Sequence, residues 1–166
     1  MKLLPRLLRH VFATQRQTHQ RFPAEALARI EAAIAASEIK HSGQIRFIVE
    51  TALSPLALFE GQSAPQRALE VFSLFGVWDT EHNNGVLLYL LMADNDFEII
   101  ADRNIHLKAG QEYWVQTCAE MQSYLSKNMF EAGVLHGIKK ISAVLECHFP
   151  EQVITPNELP DAPLVI

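Results

Sequence analysis

A chain of 166 residues with 49% hydrophobic and 20% charged side chains can bury one core without disulfides or a structural metal. Its net charge of −5 is lopsided: residues 1–22 hold Lys2, Arg6, Arg9, Arg16 and Arg21 with no acid, leaving 9 basic against 19 acidic residues in the remainder. That acidic body argues against a nucleic-acid partner, and a basic arm attached to it suits its own domain, another protein or an anionic lipid surface.

Residues 1–22 read as a basic amphipathic helix. Leu4, Leu8, Val11 and Phe12 share a helical stripe, with Arg6, Arg9 and His10 off it and Pro5 in the tolerant first turn. The segment fits a short helix packed on the domain, and it also fits a peripheral contact with a membrane surface. Residues 23–148 read as a single α/β domain. Pro23 opens a helix with Leu27, Ile30, Ala33 and Ile34 on one face. In "GQIRFIVE", Ile45, Phe47 and Val49 alternate with Gln44, Arg46, Ile48 and Glu50, which predicts a strand. Ile48 on the second face implies that both faces are covered.

Ser63 with Gln66 three residues on forms a capping-box pattern, and Ala68, Leu69, Phe72 and Phe75 continue it as a helix ending near Gly76. "GVLLYLLMA" then reads as a central strand buried on both faces, and strand, helix, strand implies a parallel crossover. The polar "DND" at 94–96 turns the chain back into "FEIIA", an antiparallel partner. Two helical segments follow, "GQEYWVQTCAEMQSYLS" and "FEAGVLHGIKKISAVLECHF". The fold class is therefore α/β: a layered sandwich with a small mixed central sheet flanked by helices. Residues 149–166 hold four of the eight prolines and read as an extended arm, ordered only where Val153, Leu159 and Leu164 find grooves.

Cys118 and Cys147 fall in the helical segments and read as buried thiols in a reducing compartment. "MKLLPRLLRHVF" has arginines inside its apolar stretch and no small-residue cleavage site, so no signal peptide is expected. The longest apolar run, Val86–Ala93, is far short of the ~20 residues a membrane helix needs. The expected location is the cytoplasm, with a peripheral membrane contact through residues 1–22 as the alternative to a helix packed on the domain.

The acids of the central region divide into two groups. A hairpin partner runs backwards, so Asp102, just past the return strand, lies near the loop of Asp79, Glu81, Asn83 and Asn84 that enters the central strand. Such converging oxygens suit a hard divalent cation, Ca²⁺ or Mg²⁺. An Asn84-Gly85 tight turn, with Asp79 closing the loop before it, is the purely structural alternative. Asp94 and Asp96 sit a strand length away. They do not make a haloacid-dehalogenase nucleophile, since Glu98 stands where Thr or Val belongs, nor an EF-hand, since Ile99 falls where the loop needs Gly. No nucleophile elbow, HExxH or phosphate-cradling glycine loop is present. A zinc site from His136, Cys147 and His148 lacks any known ligand spacing. Trp78 and Trp114 read as core residues before pocket walls.

"GQIRFIVE", "RALEVFSLFGVWDTEHNNGVLLYLLMADNDFEIIADRNI" and "FEAGVLHGIKKISAVL" together resemble the TPM domain family, over roughly residues 38–148. The match is strongest with a short bacterial branch. It implies an α/β sandwich, divalent-cation binding at Asp79 in "WDT", Asn84 in "NNG" and Asp102 in "ADR", and a protein partner such as a LemA-type membrane protein. The expected function is an accessory binding module. The alternative the family suggests is a metal-dependent phosphomonoester hydrolase of the acid-phosphatase kind, in which Arg103 would steady the phosphoryl group.

Overall fold

The computed structural model describes residues 3–150 and 156–166. Its centre is a four-stranded sheet in the order β3-β2-β1-β4. β1 (Gln44–Glu50) and β2 (Gly85–Leu91) are parallel, with Gln44 opposite Gly85 and Glu50 opposite Leu91. β3 (Asp96–Ala101) returns antiparallel to β2, and β4 (Leu164–Val165) lies parallel to β1 on its other side. The mixed sheet, the crossover and the hairpin are those the alternation predicts. The fourth strand comes from the tail read as an arm; Leu159 is buried, while Val153 lies outside the described residues.

Both faces of the sheet are covered. Ile45, Phe47, Val49, Val86, Leu88 and Leu90 pack on one side against α3 (Ala24–Glu38), α7 (Gln111–Leu125) and α8 (Phe130–His148). Ile48, Leu87, Tyr89 and Leu91 pack on the other against α4 (Pro55–Phe59) and α5 (Ala64–Leu74). This two-sided burial is why β2 reads as an unbroken apolar run. The Ser63–Gln66 capping box opens α5 with both reciprocal bonds made. α4 has an equally good start, with Ser54 capping the Ala57 amide and Pro55 in the first turn. α6 (Arg103–Ala109) follows β3 directly.

The N-terminal segment departs from expectation in two ways. It is two helices, α1 (Leu3–Phe12) and α2 (Gln15–Arg21), because Thr14 forms a capping box with Gln17 and starts a new helix. And α1 docks through its polar face. Arg6 and His10 are 8% and 4% exposed, whereas Leu4, Leu8, Val11 and Phe12 range from 48% to 70%. Leu7 alone of the apolar side chains described in α1 turns partly into the core. Cys147 is exposed and Cys118 half-buried, so the thiols are not both interior as expected. Among the described residues no helix is long and apolar enough to cross a membrane.

Candidate functional site

The sheet has two polar ends. At one, the chain reaches β2 through two tight steps, with the Asp79 amide donating to Gly76 O at 2.9 Å and the Asn83 amide to Thr80 O at 3.1 Å. Asn83 takes the left-handed conformation, φ 50°, which Asn tolerates better than most residues. The turn residue is thus Asn83, not the Asn84-Gly85 pair. Gly85 is required for space: a Cβ there would lie 1.9 Å from Val77 O and 3.3 Å from Asp102 Oδ2.

Asn84 is wholly buried. Its amide donates to Thr80 Oγ1 at 3.0 Å, its carbonyl accepts from the Gln44 amide at 3.0 Å, and its Nδ2 donates to Ser42 O. Its Oδ1 has no donor among the described residues. An interior acceptor left so costs about 1–3 kcal/mol, which marks it as an oxygen with unused ligating capacity.

Asp102 sits on the far side of Gly85, 9% exposed. It occupies the N-cap position of α6 but does not cap it; Oδ2 accepts the Gly85 N–H at 2.9 Å, and the Asp102 amide donates back to Gly85 O at 3.0 Å. Burial raises its carboxyl above the ordinary range, against the stabilising bond from Gly85. The structure therefore brings Asn84 and Asp102 to either side of one glycine, while Asp79 is exposed on the loop before them.

A residue the spacing could not place joins this end. Glu158, from the tail, accepts the Glu81 N–H at 2.9 Å through Oε2, and Gln44 Oε1 accepts from the amides of Glu158 and Leu159 at 2.8 and 3.0 Å. Arg46 donates to the carbonyls of Pro160 and Ala162. The only sequence sign was an acid in "NELPD", and no period connects it to the loop. Among the described residues no three or more His, Cys, Asp or Glu side chains gather as metal ligands. A cation here would rest on one buried carboxylate with amide and carbonyl oxygens.

The opposite end carries a charged cluster. Asp94 accepts from Arg6 Nε and Nη2 at 2.9 and 2.8 Å and from Arg9 at 3.2 Å, and His10 Nε2 stands 3.2 Å away. Arg6 also donates to Gln62 O at 2.7 Å. Burial alone would lift the Asp94 carboxyl, yet the bonds from Arg6 and the nearby His10 hold it below its usual value. His10 Nδ1 accepts from the Leu53 amide at 3.0 Å, and burial lowers its pKa despite the Asp94 charge. Close by, Glu50 joins Arg67 on α5 to the Tyr89 hydroxyl, which donates at 2.7 Å.

The remaining candidates stay apart. His136 pairs with Glu120 at 2.7 Å, and Cys147 and His148 are exposed at the end of α8. Trp114 is 3% exposed as expected of a core residue, but Trp78 is 52% exposed. Arg103 is exposed in the first turn of α6, next in sequence to Asp102.

A mixed sheet between two helical layers, with a polar loop and a hairpin return meeting at one end, defines a small α/β sandwich. The TPM domain profile matches residues 17–144, and the chain belongs to that family. Its structure is similar to the NMR structure of BA42 protein from the psychrophilic bacterium Bizionia argentinensis. The TM-score is 0.74 at 28% identity, covering 86% of this chain and 93% of that one. No curated protein matches the chain.

Proposed function

We propose that this chain is a divalent-cation-binding module, with the ion held at the Gly85 end of the sheet by Asn84 Oδ1 and the Asp102 carboxylate, and with Asp79 as an outer oxygen. The observation that carries the reading is the buried Asn84 oxygen with no donor among the described residues, one residue from a glycine clasped by a buried carboxylate. A hard cation would satisfy that oxygen and offset the burial of the Asp102 charge. With so few charged donors the affinity belongs to the weak, millimolar class, and Ca²⁺ accepts such mixed ligands more readily than Mg²⁺.

Thermal melts of chelator-treated protein test this directly. Ca²⁺ at about 100 times its Kd is expected to raise the midpoint by roughly 5–10 °C. The rise should disappear in Asp102→Asn and shrink in Asp79→Ala. No rise with Ca²⁺, Mg²⁺, Mn²⁺ or Zn²⁺, or a rise that Asp102→Asn leaves intact, would refute the assignment.

A second reading, a phosphomonoester hydrolase using the same ion, is supported by one placement: Arg103 is exposed beside Asp102, where it could meet a phosphoryl group. Metal-dependent turnover of a simple phosphate ester, lost in both Asp102→Asn and Arg103→Ala, would favour it over binding alone. Turnover that survives both would reject it.

A further inference from the structure

An amphipathic helix on a globular domain normally buries its apolar stripe. In α1 the arrangement is inverted, and the inversion is fixed from inside: Asp94 accepts two hydrogen bonds from Arg6, while His10 packs 3.2 Å from Asp94 and accepts from the Leu53 amide. Leu4, Leu8, Val11 and Phe12 are left outward, from 48% to 70% exposed. α4, which packs against α1, adds Leu56 and Phe59 at 67% and 65% exposure. Exposed large apolar side chains clustered on neighbouring elements mark a contact surface.

The charge beside that face says what it contacts. Phe12 also borders a hollow of about 460 Å³ between α1, α2 and the β2–β3 hairpin, and among the described residues lining it none is acidic. Two guanidiniums reach it, Arg9 and Arg21, with Thr14 and Gln17 between them. Both are already positioned: Arg9 is bonded to Asp94 at 3.2 Å, and Arg21 is bonded to Asn128 and lies 4.5 Å over the Phe130 ring. Arg16 on α2 is exposed, and residues 1–22 contain no acid at all. An apolar ridge edged by cations has the layout of an interfacial helix on anionic lipid, where side chains enter the acyl boundary and bases meet phosphates.

We propose that α1 and the basic hollow beside it form a docking surface for an anionic lipid bilayer. Leu4, Leu8, Val11 and Phe12 enter the interface, and Arg9 and Arg21 meet headgroup phosphates. The docked helix needs no rearrangement, because Asp94 already presents it apolar side out.

The full chain is mixed with phosphatidylcholine vesicles with and without phosphatidylglycerol and sedimented, wild type beside Leu8→Asp/Phe12→Asp, with light scattering and melting curves on both. The wild type is expected to sediment with the anionic vesicles only and to be released by salt. The double variant, changed at exposed positions and melting as the wild type does, should bind at least about tenfold less. Folded wild type that ignores anionic vesicles overturns the proposal, as does binding unaffected by the double variant. A wild-type dimer that the variant makes monomeric, without vesicle binding, assigns the face to self-association. Stabilisation by inorganic phosphate without vesicle binding assigns the hollow to a small anion; either result rejects a lipid surface.

Discussion

Asp94→Ala is the substitution that most directly tests how α1 is held. In the native chain Arg6 and His10 have side chains 10% and 1% exposed, and Asp94, itself 8% exposed, is the anion that pairs with Arg6 and lies beside His10. Removing one partner of a buried ion pair typically costs about 3–5 kcal/mol, because the remaining charge stays buried without compensation. Here a limit applies. Arg6 can return to water if α1 leaves the domain, so the loss cannot exceed the free energy with which α1 is docked. That free energy rests on the Asp94 cluster, the Arg6 bond to Gln62 O and the partial burial of Leu7.

The expected result is therefore local release ahead of global unfolding. We expect a loss of about 2–3 kcal/mol, or roughly 4–12 °C in Tm for a chain of this size, with hydrogen exchange in residues 3–12 becoming fast well below the main transition. Arg6→Met combined with Asp94→Leu should lose less than the two single changes together, since no charge is then left buried. Asp94→Ala with wild-type Tm and wild-type protection across α1 would show that the ion cluster does not hold the helix, and the reasoning would fail.

Other outcomes follow from the same geometry. Gly85→Ala places a methyl against the backbone carbonyl of Val77, which cannot step aside as a flexible side chain would; we expect a loss of about 2 kcal/mol or more in denaturant unfolding, and a tolerated alanine would refute the close approach. Burial pushes the Glu38 carboxyl up to about 8, although the Ile45 N–H it accepts favours its charged form and the Asp161 carboxyl opposes that form. The folded state then retains a proton that the unfolded chain releases near pH 4.5, so this stability is whole below pH 4.5 and falls as pH rises towards about 8. Glu38→Gln should accordingly raise Tm at pH 8 more than at pH 5 and flatten the slope, and equal shifts at the two pH values would contradict it. Gln44→Ala removes the acceptor of two tail amides, so protease cleavage around residues 156–163 should quicken several-fold before the core melts; an unchanged rate would show that β4, the Arg46 bonds and the Glu158 bond hold the tail without Gln44.

What the sequence made legible was whatever depends on short-range period and local chemistry. Ile45, Phe47 and Val49 against Ile48 defined both a strand and a two-faced burial, and Ser63 with Gln66 located the start of α5. Ser54-Pro55 carries the same kind of signal for α4, in a helix too short to show an apolar period. Three features lay beyond such patterns. A two-residue strand has no period, so β4 could only follow from where the tail lands. An apolar stripe gives a direction relative to the helix axis, not to the domain; the choice between burying Leu8 and burying Arg6 was made by Asp94, 88 residues from Arg6. And the pairing of Asp102 with Gly85 followed from hairpin polarity, whereas the Asn84 oxygen, with no donor among the described residues, depends on interior packing that no spacing encodes.

The placement of the two polar clusters has a mechanical consequence. Both candidate surfaces sit at ends of β2. The Gly85 end is sealed by Asp102 and the tail, and the Leu91 end by Asp94 and α1. β2 itself is buried along its whole length and hydrogen-bonded on both edges, so it moves only as part of the sheet, whose low compressibility passes strain along it. A cation at Asp102 would tighten the β2–β3 register at the Gly85–Asp102 clasp, and Asp94 lies at the other tip of that same hairpin. Coupling between the two ends would thus have to travel through the hairpin, and it is reciprocal. If cation binding changes vesicle affinity, vesicles must change cation affinity by the same factor. Measuring both titrations on the wild type, and on Asp94→Asn to weaken the hairpin's hold on α1, decides whether the two ends are linked. Equal cation affinity with and without vesicles would make them independent sites on one rigid sheet.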